Sequence, residues 1–272
     1  MTVTNQYTTL TGLGFQRRLS KLFRKDGKAM VVGLDHGLSA GVKQGLHDLG
    51  AISSTCINGG ADAILLGPKA SLWAASSLGQ SEHSAFWLRL DRTNAFDLPT
   101  PQHLNISAIA TVQDALRVNA DAAVIWYIRS SGVPEDQDAE HTRHVATIAE
   151  QCRESGMPLV VEAFTLGSNV TGAEVVKTVR IAYELGADIL KIDYPQDEGV
   201  LKEILASVNA PVFLAGGPQT DNFNAFLSKM ERAMQLGVKG IVIGRNIWQA
   251  ADPAQALMQF NSIVHGTSLT RA

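Results

Sequence analysis

Lys191 stands in an otherwise apolar run, between Leu190 and Ile192, where an unpaired ammonium is costly to bury. Two readings of it are open: a structural ion pair with Asp193 or Asp35, or a nucleophilic amine. An ordinary lysine amine is uncharged in only about one molecule in a few thousand at neutral pH. Desolvation and positive neighbours lower its pKa, so that it can attack a carbonyl and form an iminium. That cation takes up the electron pair left when a neighbouring carbon–carbon bond breaks. The chemistry also needs a proton carrier, and Tyr127, at the end of AAVIWYI, is the candidate. The plainer reading of a lone tyrosine there is packing with a surface hydroxyl. Asp35, in the turn Leu34-Asp35-His36-Gly37, is suited to bind substrate hydroxyls, orient the amine or transfer a proton, with His36 beside it to contact substrate. Glu162 is the weaker carboxylate, a simple partner for Lys191 or Arg245.

Two further turns suit an anion: Ala215-Gly216-Gly217-Pro218 and Gly244-Arg245-Asn246. Glycines let backbone N–H groups close round a phosphate, and Arg245 adds a fixed, two-pronged donor. One Gly-Gly turn alone is weak; two on successive strands, one with arginine, are a stronger signal. His141 and His144 lie three apart in a helical pattern, a spacing open to a metal pair. With no third ligand in view they read as a solvated helix face. A metal-assisted enolate mechanism calls for a histidine cluster at strand ends, and none is spelled out. No metal and no cofactor are therefore expected.

These residues must be held by strands, and the chain supplies eight short aliphatic or β-branched runs, at 29–35, 61–67, 85–91, 122–128, 158–164, 187–193, 211–217 and 240–246. Each is nearly continuous in apolar character, as expected of parallel strands covered on both faces. Between them lie helical stripes, such as Val175, Val179 and Ala182, or Val145, Ile148 and Cys152. Thr171 with Glu174 reads as a capping box, and Asp252-Pro253 as a cap followed by proline in the first turn. Gly186 and Gly237 sit where glycine ends a helix. Strand starts recur at roughly 24 to 37 residues, one β-α unit each. Eight such units predict a single (β/α)8 barrel, with the site at the carboxyl ends of its strands. An open doubly wound sheet would carry GxGxxG after its first strand, and here that turn reads Asp35-His36-Gly37-Leu38-Ser39. Residues 1–14 read as an N-terminal arm and 15–272 as the barrel, with an extra helix over 15–24 across its base. The segment 92–105, with Pro99 and Pro101, is the longest loop.

A chain of 272 residues, 45% hydrophobic and 18% charged, suits one globular domain. A net charge of −3 gives no field for a polyanion, so no nucleic-acid partner is expected. Cys56 and Cys152 read as buried thiols. No apolar run nears the roughly 18 residues a membrane span requires, and no signal pattern opens the chain. The expectation is no membrane partner and a cytoplasmic location.

At these residues the chain resembles the class I, Schiff-base aldolases of the archaeal-type fructose-bisphosphate aldolase family. That family also takes in the autoinducer-2 processing thiolase and aminodideoxyheptulosonate-type synthases. The resemblance rests on GLDHG (33–37), WYIRS (126–130), ADILKIDY (187–194), AGGP (215–218) and GRNIWQ (244–249) followed by Asp252-Pro253. It implies a Schiff base on Lys191, proton transfer by Tyr127 and assistance from Asp35. Gly216, Gly217, Gly244 and Arg245 would hold the phosphate of a dihydroxyacetone-phosphate-type substrate, with His36 and Trp126 alongside. It also implies a homo-oligomer. The sequence departs from the family pattern at Gly67-Pro68-Lys69-Ala70, at 91–97, and at Arg129, where glycine is usual. Arg92 or Arg129 is expected to recognise an acidic or phosphorylated acceptor. The alternatives are a transferase using the same lysine, either thiolase-like or transaldol-type, and a phosphosugar-binding barrel without catalysis.

Overall fold

The eight apolar runs form eight parallel strands that close on themselves. In the computed structural model, residues 10–81, 83–96, 104–130 and 135–266 are described. The strands in chain order are β1 (Ala29–Gly33), β2 (Ala63–Leu66), β3 (Ala85–Arg89), β4 (Asp91–Thr93), β5 (Ile106–Ala108), β6 (Ala122–Ser130), β7 (Leu159–Leu166), β8 (Ile189–Ile192), β9 (Val212–Ala215) and β10 (Gly240–Ile243). β4 and β5 form a separate antiparallel pair; the other eight make the barrel, with β1 closing on β10. The helices are α1 (Leu10–Leu22), α2 (Gly37–Ala40), α3 (Leu49–Asn58), α4 (Ala75–Gln80), α5 (Val112–Arg117), α6 (Glu135–Ser155), α7 (Gly172–Glu184), α8 (Glu198–Ser207), α9 (Phe223–Leu236), α10 (Arg245–Trp248) and α11 (Pro253–His265).

Side chains alternate across each strand, and the alternation sorts the core into two. Ala29, Val31, Ala63, Leu65, Ala85, Trp87, Ala122, Val124, Val160, Ile189, Phe213 and Val242 fill the barrel interior, closed below by Leu19, Leu22 and Phe23. The intervening residues, among them Met30, Val32, Ile125 and Val161, pack outward against the helices. The expected caps are present: Thr171 and Glu174 form a reciprocal capping box on α7, and the Asp252 side chain accepts from Gln255 N ahead of Pro253. Gly186 and Gly237 adopt φ of 113° and 114°, a region that glycine enters without a Cβ clash.

The helix at the barrel base begins at Leu10 rather than Phe15, so the arm's last residues belong to it; residues 1–9 lie outside the described residues. The long segment after β3 is partly a ribbon, with Asp91 paired to Ala108 and Thr93 to Ile106. Its tip, with Pro99 and Pro101, also lies outside the described residues. Both cysteines are buried free thiols, and burial raises the pKa of each. Among the described residues no helix is long and apolar enough to cross a membrane.

Candidate active site

Above the filled interior, the same inward parity continues as a polar layer. Strand register places Trp126 opposite Glu162 and Glu162 opposite Lys191, while Arg89 sits at the top of β3. These side chains floor a cavity of about 740 Å³ at the carboxyl ends of the strands. Lys191 Nζ lies 2.8 Å from Glu162 Oε2, yet it lines the cavity and keeps 9% of its surface accessible. The ion-pair reading names Asp193 or Asp35, but the partner within reach is Glu162; the amine is paired and also faces open space.

Arg89 organises the carboxylates. Its guanidinium bonds Glu162 Oε1, donates from Nε to Asp35 Oδ2 at 3.0 Å and sits 3.6 Å from Asp91. The guanidinium also lies 4.6 Å from the centre of the Trp126 ring. Asp91 in turn accepts the Trp126 backbone N–H at 2.8 Å and faces His144 Nε2 at 3.2 Å. Burial pushes the Asp35 carboxyl up, but Arg89, His36 and Lys191 outweigh it and hold it below its ordinary value. The reverse balance holds for Asp193, where burial wins over Lys191 and raises the pKa. Burial lowers His36, against the pull of Asp35.

Next round the barrel from β8, the ends of β9 and β10 present their glycine turns. A Cβ on Gly216 would come within 2.8 Å of Ile243, and one on Gly244 within 2.7 Å of His36 and 3.0 Å of the Gly33 carbonyl. Asn246 ties the turns together, donating from Nδ2 to the Gly216 and Pro218 carbonyls at 3.0 and 2.9 Å. Trp248 donates from its indole to the Gly33 carbonyl at 3.1 Å and packs edge-on against His36. Beside them, Arg245 Nε is buried without a hydrogen-bond partner. Burial lowers the pKa of this guanidinium, with Asp193 opposing.

Asp35, His36, Trp126, Lys191, Gly216, Gly217, Gly244 and Arg245 all line the cavity. Tyr127 does not. It follows Trp126 on β6, so pleating turns it to the opposite face, where it is 1% exposed within the strand–helix core and bonds Thr142. Arg129 is likewise directed away, pairing with Asp138 at 3.4 Å, whereas Arg92 lines the cavity and donates to the Leu38 carbonyl. The two helical histidines are not a solvated face: His141 is 3% exposed, its pKa lowered by burial against the opposing pull of the Ile128 and Leu104 backbone, and His144 meets Asp91. Among the described residues no three His, Cys, Asp or Glu side chains are grouped to hold a metal ion.

The family model for DeoC/LacD aldolases matches residues 29–250. The chain belongs to the DeoC/LacD aldolase family. Relatives of this aldolase-family chain include an uncharacterized aldolase of Saccharolobus solfataricus, 28% identical over 93% of this chain and 95% of that protein. Another is 2-amino-3,7-dideoxy-D-threo-hept-6-ulosonate synthase 1 of Archaeoglobus fulgidus, 29% identical over 93% and 92%. A solved archaeal fructose 1,6-bisphosphate aldolase superposes with a TM-score of 0.79 at 24% identity, covering 93% and 99%, which confirms the fold. The resemblance read from GLDHG, ADILKIDY and AGGP thus stands.

The family's barrel here carries residues to which motif reading gives no role of their own: Arg89 and Phe164, and Asp91 and Phe96 within the divergent segment 91–97. Phe96, Trp126 and Phe164 form an aromatic wall, with Trp126 5.3 Å from Phe96 and 5.2 Å from Phe164. Arg89 had a signal in AFWLRLD, since a guanidinium in an apolar strand raises the same question as Lys191.

Proposed function

We propose that this chain is a class I aldolase that makes or breaks a carbon–carbon bond of a phosphorylated ketose through a Schiff base on Lys191. The observation that carries the reading is the placement of the Lys191 amine on the wall of the barrel cavity, in one lining with two glycine turns on the next two strands and an unpartnered buried arginine nitrogen. The ketone carbon sits at Nζ, and its phosphate is held by Gly216, Gly217, Gly244 and Arg245. Asp35, kept ionised by Arg89, binds the substrate hydroxyls. The iminium supplies the electron sink, so the mechanism calls on no metal. The aldehyde partner lies against the aromatic wall and Arg92.

The test is covalent trapping. Incubation with dihydroxyacetone phosphate and borohydride is expected to add the mass of the reduced donor to Lys191, and Lys191→Ala to abolish both adduct and turnover. Unmodified protein after that treatment would remove this donor. A second reading, a transaldol-type synthase using the same lysine, is favoured by the 29% identity to the Archaeoglobus synthase. It predicts the adduct but little cleavage of simple aldols. We further propose that the chain forms a homo-oligomer in the cytoplasm; a monomeric mass in solution would refute the first part.

A further inference from the structure

His144 stands on α6, 17% exposed at its side chain, and does not line the cavity. Its Nε2 lies 3.2 Å from Asp91 Oδ2, and an ionised Asp91 makes that nitrogen the donor. The same oxygen accepts the Trp126 backbone N–H at 2.8 Å. Arg89 attracts Asp91 across 3.6 Å but makes no hydrogen bond to it, since Arg89 Nη1 and Asp91 Oδ1 are both buried without a hydrogen-bond partner. Burial pushes the Asp91 carboxyl up, and the His144 bond opposes that more than Arg89 does. Asp91 is thus held from behind, by α6, rather than from the cavity.

What Asp91 carries gives that anchor its consequence. It opens β4, which pairs with β5, and Arg92, Thr93 and Phe96 follow it along the cavity lining. Ala95 on the same segment, with Leu104 and Ile106, packs in one cluster with Phe164 and Trp126. Asp91 therefore joins the two supports of the aromatic wall: the segment that brings Phe96, and the β6 backbone at Trp126. Arg89, by contrast, has its own bonds to Asp35 and Glu162, so the Lys191 side of the cavity is held independently of α6. We infer that His144 is a positioning residue for the aldehyde half of the reaction: through Asp91 it fixes Phe96 against Trp126, 5.3 Å between ring centres, and so the wall that the acceptor must fit. Removing it loosens that wall and leaves the Schiff-base half intact.

This inference rests on the Schiff-base reading and on the acceptor's place against the wall, and the experiment tells the three apart. Wild type, His144→Ala, His144→Leu, His144→Gln and Phe96→Ala are compared for the rate of borohydride-trapped adduct with dihydroxyacetone phosphate. The same proteins are assayed for kcat and acceptor KM in condensation with glycolaldehyde and with glyceraldehyde 3-phosphate, with thermal melts as a folding control. Misplacing a reacting group by about 1 Å can cost about 10²-fold. His144→Ala and His144→Leu are therefore expected to raise the KM of the better acceptor about tenfold or more, with kcat and the adduct rate within about threefold of wild type. His144→Gln, whose amide can donate to Asp91, should return that KM to within about threefold of wild type. The inference falls if folded His144→Ala or His144→Leu keeps the wild-type acceptor KM, or if the adduct rate falls as far as KM rises. It also falls if His144→Gln binds the acceptor no better than His144→Ala, or if neither loss variant folds, since the pair would then serve the fold alone. An unchanged acceptor KM in Phe96→Ala, or a wild type that traps the donor but condenses it with neither aldehyde, removes the acceptor from the wall and this inference with it. Wild type that is never trapped overturns the Schiff-base reading itself.

Discussion

At the scale of single residues, Arg89 holds three acids in place: the buried Asp91 and Glu162 and the partly buried Asp35. Burial alone would lower its pKa, but the three carboxylates raise it well above its ordinary value. Removing one partner from a buried ionic group leaves uncompensated charge, which costs about 3–5 kcal/mol. Arg89→Met, close in length, is thus expected to cost stability of that order in denaturant titrations at neutral pH, and to abolish turnover. A midpoint near that of wild type would show that the carboxylates do not depend on it. The sequence reading that singled out Lys191 applies unchanged to Arg89, the other basic side chain buried at the top of an apolar strand. What the sequence did not reveal is the partner set, because Asp35, Asp91 and Glu162 come from separate parts of the chain. Tyr127 shows the converse. Its strand-end position and the motif resemblance both put it in the site, while pleating with Ala122, Val124 and Trp126 inward puts it outside.

At the scale of elements, a repeated device joins strands at the barrel base. Asp62, Asp121 and Asp188 each follow an alanine just before a strand, and each accepts a backbone N–H from the preceding barrel strand. The distances are 2.7 Å from Met30, 2.9 Å from Phe86 and 2.9 Å from Leu159. The Ala-Asp pairs are visible in the sequence at 61–62, 120–121 and 187–188, but alternation and apolar content gave only the strand that follows. The three differ in charge compensation: Asp62 meets Arg24 and Asp121 meets Lys21, whereas Arg153 acts on Asp188 only through space. Burial accordingly pushes the Asp188 carboxyl up to about 6, with the Leu159 N–H and Arg153 opposing. A folded-state pKa above the unfolded value means that the protonated form is favoured by folding. Its contribution is full below about pH 4 and lost as pH rises through 6. Asp188→Asn can still accept the Leu159 N–H and does not ionise. It should therefore exceed wild type by at most about 2–3 kcal/mol at pH 7.5, and the gap should close towards pH 4. Urea midpoints across that range test it; a gap independent of pH would refute the ionisation argument.

At the scale of the whole molecule, regular strand spacing and capping chemistry were enough to give the barrel, since each unit is local. How the last helix fixes the closed cylinder depends on contacts between chain ends and was not legible. α11 packs against α3, α9 and β1, and its final residue, His265, is 5% exposed at the side chain between two acids. Nδ1 lies 2.7 Å from Asp26 and Nε2 2.8 Å from Asp62. Asn261, one turn earlier, donates to the Gly59 carbonyl at 3.3 Å, and Arg24 reaches both Asp62 and Asn261. The turn before β1, the start of β2 and the end of α11 are thus tied at one point, at the opposite end of the barrel from Lys191. Leaving buried polar groups unsatisfied costs about 1–3 kcal/mol, more where charge is involved. His265→Ala should therefore lower stability by about 2–3 kcal/mol, read as a shifted urea midpoint with the slope preserved. Because the catalytic end is untouched, the same variant should trap dihydroxyacetone phosphate on Lys191 at the wild-type rate below its melting transition. A midpoint that does not move would show that α11 is held by its apolar face alone; a lost adduct in folded protein would show that the two ends of the barrel are coupled.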